Sequence, residues 1–459
     1  MRMKTTNRNL IRNFLLVALL VFSVPLLAQE NCTNGIDDDG DGFVDCFDSG
    51  CINKPGCVGF YIGNDASCTT TPVEFPKFSM KLKWGSPNGT TNHLNRVNVG
   101  DLDRDGIPEV VATEVQGNKL TILNGNSGTI KKQITVPYEL DRDAAIANIN
   151  NTSCAQIFTT GSISKLWYIF AYDCNLNLLW STQALTPAAN SFSAVAQPYT
   201  LGIADFDGDG KIEIYYRDEI IDAHTGIRLV KGNAAVAKPA EPVAANILGD
   251  TKLELISGLS IYQVNFGART KDAGSLTLLN SQASFFNRKD WSSTSIADYN
   301  QDGFLDVIAS GSDGGLDKNT TLFFWDVKNN VLKKYKDFIS GTFVVNSCPP
   351  SSGNVYVNGW QSGTGRVNIA DIDGDGFLNA TYVSGKFLYA LKEDFTLLWR
   401  VVVNEETSGY TGCTVYDFNG DGAAEVVYRD EKYLYIINGN DGSINTQNQC
   451  IARTQLEYP

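Results

Sequence analysis

The chain has little of what most enzymes use. Its 459 residues include two histidines, His93 and His224, each in a turn-rich setting, where a lone histidine serves as solvated surface. There is no G-x-S-x-G, no H-E-x-x-H and no glycine loop that could cradle a phosphate. Basic residues are also scarce: 37 Lys and Arg face 51 Asp and Glu, a formal net charge of −14. A nucleic-acid partner demands the opposite sign. No long amphipathic helical pattern occurs, and after residue 28 no apolar run is long enough to span a bilayer.

What is present is one acidic phrase, D-x-[DN]-x-D-G-x-x-[EDN], repeated five times. The copies start at Asp101 (DLDRDGIPE), Asp205 (DFDGDGKIE), Asp298 (DYNQDGFLD), Asp371 (DIDGDGFLN) and Asp417 (DFNGDGAAE). Oxygen ligands at alternate positions of a tight loop converge on one point, and the sixth-position glycine permits the turn, as in a calcium cage. The expected ligands are Asp101, Asp103, Asp105 and Glu109; Asp205, Asp207, Asp209 and Glu213; Asp298, Asn300, Asp302 and Asp306; Asp371, Asp373, Asp375 and Asn379; and Asp417, Asn419, Asp421 and Glu425. By acidic count, the loops at Asp101 and Asp205 should bind more tightly than the one at Asp371, whose ninth residue is neutral. Calcium is the expected cofactor, with about five ions in these loops.

Two eroded copies begin at Asn148 and Asn246 and have lost most acidic ligands, so they should form without an ion. With them included, the loops start at 101, 148, 205, 246, 298, 371 and 417, a mean spacing of about 53 residues. Units of that length, rich in short apolar runs and glycine, indicate a propeller with one four-stranded blade per unit. The fold expected is all-β: a seven-bladed β-propeller preceded by a small disulfide-rich calcium-binding module. In the last unit, strands are expected at Thr414 to Tyr416, Glu425 to Tyr428 and Tyr433 to Ile437, followed by a turn at Asn438 to Gly442.

The N-terminus reads as an export signal over residues 1–28: Arg2, Lys4, Arg8 and Arg12 precede an apolar run ending at Ala28. The expected location is secreted or cell-surface, where an even cysteine count suggests disulfides. Residues 29–77 form the small module. It holds Cys32, Cys46, Cys51, Cys57 and Cys68 and a sixth acidic loop with Asp37, Asp39, Asp41 and Asp45 as ligands for one further ion. Residues 78–459 form the propeller. There Cys154 and Cys174 flank a strand-turn-strand stretch and could bridge, while Cys413 and Cys450 bracket the last unit.

Several side chains recur with the repeat. Trp84, Trp180 and Trp399 end outer strands, which suits packing between blades better than a sugar platform. The segment Phe78 to Trp84 resembles an outer strand that could close the ring by pairing with the last blade. Tyr216 to Glu219 and Tyr428 to Glu431 both read Tyr-Arg-Asp-Glu, an arginine expected to pair with loop carboxylates. The longest insertion, Ser310 to Gly365, carries Trp325, Tyr335, Tyr356 and Trp360 and could serve as a contact surface. The final residues, Gln455 to Pro459, resemble the lead-in to another repeat, as in a truncated copy of a longer surface protein.

The phrases VNVGDLDRDGIPEVV, LGIADFDGDGKIEIYY, TSIADYNQDGFLDVIA, VNIADIDGDGFLNATY and CTVYDFNGDGAAEVVY resemble FG-GAP/VCBS repeats, the units of integrin-α-like propellers in many secreted bacterial proteins. NGIDDDGDGFVDC is similar to a metal-binding motif of bacterial surface proteins. The resemblance implies calcium in the loop between the first and second strands of each blade. It implies no single activity. Two function classes follow: a binding or adhesion module for an extracellular protein or polysaccharide, or a calcium-dependent polysaccharide-degrading enzyme of lyase type.

Overall fold

The computed structural model describes residues 81–85, 97–114, 117–186, 201–232, 241–282, 293–311, 321–335, 366–384, 387–403, 412–430 and 432–449. The segments expected to be the export signal and the cysteine-rich module, together with Cys348, Cys450, His93, Tyr356, Trp360 and the final residues 450–459, lie outside them. Among the described residues no helix is long and apolar enough to cross a membrane.

The described chain is all-β. It forms seven four-stranded antiparallel sheets, each a simple meander of consecutive strands. Sheets 1 to 7 span residues 97–135, 139–181, 201–230, 242–281, 293–335, 368–402 and 414–449. The first strand of each sheet lies beside the first strand of the next, from sheet 1 through sheet 7. The sheets therefore follow one another about a common centre.

Burial explains the strand composition. The second and third strands of sheet 1, Glu109–Glu114 and Lys119–Asn124, are buried almost throughout, and the fourth, Ile130–Thr135, is exposed on most positions. Sheet 5 repeats this with Asp306–Gly311, Thr321–Asp326 and Val331–Tyr335. A strand covered on both faces reads as a continuous apolar run, which is why TLFFWD is uninterrupted. Its Trp325 is fully buried, and core clusters join neighbouring sheets, as where Tyr299 and Phe324 of sheet 5 pack with Tyr382, Tyr389 and Phe395 of sheet 6. Of the insertion aromatics, Trp325 is thus core.

The three outer-strand tryptophans share one contact. Trp84 Nε1 donates to the carbonyl of Gly125 at 2.9 Å, Trp180 Nε1 to that of Ala223 at 3.1 Å, and Trp399 Nε1 to that of Gly439. Each ring covers a turn glycine with positive φ, namely Gly128, Gly226 and Gly442. Trp180 of sheet 2 plugs the last turn of sheet 3, and Trp399 of sheet 6 plugs that of sheet 7. These residues pack sheets together. Trp84 does the same for sheet 1, but residues 81–85 form no strand, so the expected pairing of this segment with the last sheet is not what the described residues show.

Cys154 and Cys174 form a disulfide within sheet 2, tying the loop after its first strand to the turn before its fourth. A bridge across 20 residues should contribute about 3 kcal/mol, chiefly by constraining the unfolded chain. Replacing both cysteines by serine should lower the stability measured in urea by that amount. Cys413 is a buried free thiol that accepts from the Asn368 amide, and burial pushes its pKa up.

Candidate metal-binding loops

All seven acidic or eroded loops occupy one topological place, between the first and second strands. In each, the residue before the loop pairs with its ninth residue: Gly100 with Glu109, Ala147 with Gln156, Ala204 with Glu213, Ala245 with Glu254, Ala297 with Asp306, Ala370 with Asn379 and Tyr416 with Glu425. They are numbered 1 to 7 with their sheets. Adjacent loops touch: the Ala155 amide donates to the Leu102 carbonyl, Leu253 to Phe206, and the Gln301 side chain to Gly376.

The first-position aspartate folds the loop. Asp101 accepts from the amides of Asp105 and Gly106 at 3.1 and 3.0 Å, and Asp205, Asp298, Asp371 and Asp417 grip the same turn in their loops. The sixth glycine makes this possible, since φ is +82° at Gly106 and between +79° and +91° in the other four acidic loops. The fifth residue uses one oxygen to cap the seventh amide, as Asp105 does for Ile107, Asp209 for Lys211, Asp302 for Phe304, Asp375 for Phe377 and Asp421 for Ala423.

The ninth residue has a role that the motif alone did not suggest. In all seven loops its side chain is buried and accepts from the second-position amide: Glu109 from Leu102, Gln156 from Ile149, Glu213 from Phe206, Glu254 from Ile247, Asp306 from Tyr299, Asn379 from Ile372 and Glu425 from Phe418, at 2.8 to 3.1 Å. Amides serve as well as carboxylates because the task is to accept an N–H. The signal was visible in the sequence, since the eroded loops keep Gln156 and Glu254 while losing other acids. Glu254→Ala should cost about 1–3 kcal/mol by stranding a buried amide, whereas Glu254→Gln should cost much less; urea denaturation compares the two.

After these bonds, the oxygens left in loops 1, 3 and 6 are those of the third residue and those of the fifth and ninth that fold nothing, whereas in loops 5 and 7 the third residue, Asn300 or Asn419, already accepts from the fifth-position amide. Acidic groups converge at Asp101, Asp103 and Glu109, at Asp205, Asp207 and Glu213, and at Asp371, Asp373 and Asp375. In loop 1 the spare oxygens of Asp103, Asp105 and Glu109 surround Lys131 Nζ at 2.9, 3.4 and 2.7 Å. They hold its ammonium above the usual lysine range, the Glu109 bond most of all. In loop 3 the matching oxygens of Asp207, Asp209 and Glu213 meet the Arg269 guanidinium at 3.3, 3.5 and 2.5 Å. Burial pushes Glu213 up to about 7 despite that partner and the Phe206 amide.

The other loops differ. In loop 5, Asp306 is 1% exposed and its Oδ1 has no hydrogen-bond partner among the described residues; burial raises this group to about 7. Lys328 Nζ stands 3.6 Å from Asp302, and Asn300 donates to Asp326. In loop 6, Asp373 Oδ1 and Asn379 Nδ2 are buried with no hydrogen-bond partner among the described residues, and burial raises Asp373. In loop 7, Asn419 Nδ2 donates to Glu425 Oε1 at 2.7 Å. The eroded loops close on themselves: Asn148 binds the backbone of Thr152 on both sides, and Asn246 donates to the Asp250 carbonyl. A buried carboxylate oxygen with no partner is costly, and loops 5 and 6 each aim one among further acids. The donor set is all oxygen and suits a hard divalent cation such as calcium.

Two further sequence expectations fall outside the cage. Arg217 sits in a hairpin at φ +59° and donates to the Thr186 carbonyl at 2.7 Å, while the guanidinium among loop carboxylates belongs to Arg269. His224 is an exposed turn residue.

No family model and no curated protein sequence matches this chain. Among solved structures, it is similar to the V. cholerae biofilm matrix protein Bap1, with 15% identity, 80% of this chain and 83% of that one covered, and a TM-score of 0.51. It is more distantly similar to BamB from Moraxella catarrhalis, with 12% identity over 78% of this chain and 84% of that one at a TM-score of 0.39. For the Dos1 propeller the identity is 10%, the coverages 79% and 75%, and the TM-score 0.35. Four-stranded meanders succeeding one another about a centre define a β-propeller, and this chain has that fold.

Proposed function

We propose that the chain is a secreted or cell-surface, seven-bladed β-propeller of FG-GAP/VCBS type that calcium stabilises, acting as a binding or adhesion module for an extracellular protein or polysaccharide. The observation that carries this reading is the sevenfold recurrence of one loop at the same end of every sheet. Five of the loops keep acidic oxygens beyond those that fold them. Asp103 and Glu109, Asp207 and Glu213, Asp302 and Asp306, Asp373 and Asp375, and Asp421 and Glu425 would supply the ligands. A bound ion would neutralise the buried acids and fix the loop belt, a rigid rim suited to recognition. The acidic module of residues 29–77 would hold a further ion.

The likeness to a biofilm matrix protein agrees with an extracellular binding role, although at 15% identity it speaks to the fold. The test is a glycan and matrix-protein binding screen with and without calcium, run beside an assay for unsaturated uronates. Retention of a ligand with calcium and its loss with chelator is expected. Uronate release would replace this reading with a polysaccharide lyase, and calcium-independent absence of binding would contradict it.

A further inference from the structure

Loops 1 and 3 have the most acidic ligands, yet each has a cation of its own. Lys131 Nζ touches the spare oxygens of the third, fifth and ninth residues of loop 1, and Arg269 touches the same three positions of loop 3. The repeat does not explain this. Lys131 comes from the fourth strand of sheet 1, the sheet that carries loop 1, whereas Arg269 comes from a turn of sheet 4 and reaches across to sheet 3. Two unrelated elements deliver a positive charge to equivalent points. Among the described residues no other acidic loop has a cation on all three positions: in loop 5 Lys328 Nζ reaches only Asp302, at 3.6 Å, and buried oxygens without a hydrogen-bond partner occur at Asp306 Oδ1 and Asp373 Oδ1 of loops 5 and 6 as well as at Asp207 Oδ1 of loop 3.

We propose that Lys131 and Arg269 are tethered cations that hold the calcium positions of loops 1 and 3 and must be displaced before an ion enters. The inference rests on the calcium reading above. A tethered competitor acts at an effective concentration in the millimolar range or higher, so it weakens the apparent affinity of the loop it serves without altering any ligand. Space exists for the exchange at loop 1, where a cavity lined by Leu102, Asp103, Glu109, Lys131, Cys174 and Asn175 adjoins the ammonium. The two loops are then neutralised at low calcium and fill last, reversing the order that acidic count predicts.

The test compares the full chain with Lys131→Met and Arg269→Met, and with Lys131→Gln and Arg269→Gln as less disruptive forms. Calcium is titrated by isothermal calorimetry and by native mass spectrometry, and melting is followed in chelator and in millimolar calcium. Each substitution should make one site about tenfold or more tighter and lower the melting temperature in chelator. In calcium the melting temperature should return to at least the wild-type value. Lys131→Arg should behave as wild type. Unchanged affinities, or loss of a site, would overturn the tethered-cation proposal while leaving calcium binding in place. If neither wild type nor any variant binds calcium, the calcium reading falls and this inference with it.

Discussion

Thorough removal of calcium is expected to lower the melting temperature of this chain by about 10 °C or more. Each ion held at a hundred times its dissociation constant adds about 2.7 kcal/mol by mass action. Several sites acting on one fold give a shift of that order at the few degrees per kcal/mol usual for large domains. The structural cause is local. Asp306 and Asp373 each bury an oxygen with no partner among the described residues, next to Asp302 and to Asp371 and Asp375 respectively, and like charges so close repel. Loop 2 should be indifferent, since Asn148 closes it and the Cys154–Cys174 bridge fixes it. Scanning calorimetry in chelator and in calcium measures the shift.

The second large effect lies at the tryptophan plugs. Trp399 is 6% exposed and spans two sheets, with its indole N–H on Gly439 and its ring over Gly442. Trp399→Ala should cost about 3–5 kcal/mol, the usual loss for a buried large aromatic. Trp84→Ala and Trp180→Ala should cost less, because both are only partly buried. Gly442→Val should approach the effect of Trp399→Ala from the other side. A Cβ there would stand 2.8 Å from the ring, at a φ of +71° that β-branched residues avoid. Urea denaturation of the four variants gives the ranking.

Much of this architecture could be read in the sequence because the repeat writes the same physics seven times. The strands expected at Thr414 to Tyr416 and Tyr433 to Ile437 are those observed, and the second strand extends by one residue to Arg429. The Cys154–Cys174 bridge was legible from its position around a strand and turn. What could not be read were contacts made by residues outside the motif. Lys131 and Arg269 lie 22 and 56 residues from the glutamates they meet, and nothing in KKQ or GARTK distinguishes them from surface charges. The ninth-residue clamp escaped notice for another reason. A carboxylate in a cation motif suggests metal first, so the retention of Gln156 and Glu254 in the eroded loops went unread until the three-dimensional register showed the ninth side chain gripping a backbone amide in all seven loops.

Native mass spectrometry of the mature chain in saturating calcium tests the central claim most directly. The account predicts five bound ions from the propeller loops, or six with the N-terminal loop at Asp37 to Asp45. A chain that carries no calcium would contradict it, and a count of seven or more would show that the loops at Asn148 and Asn246 bind ions which their residues should not hold.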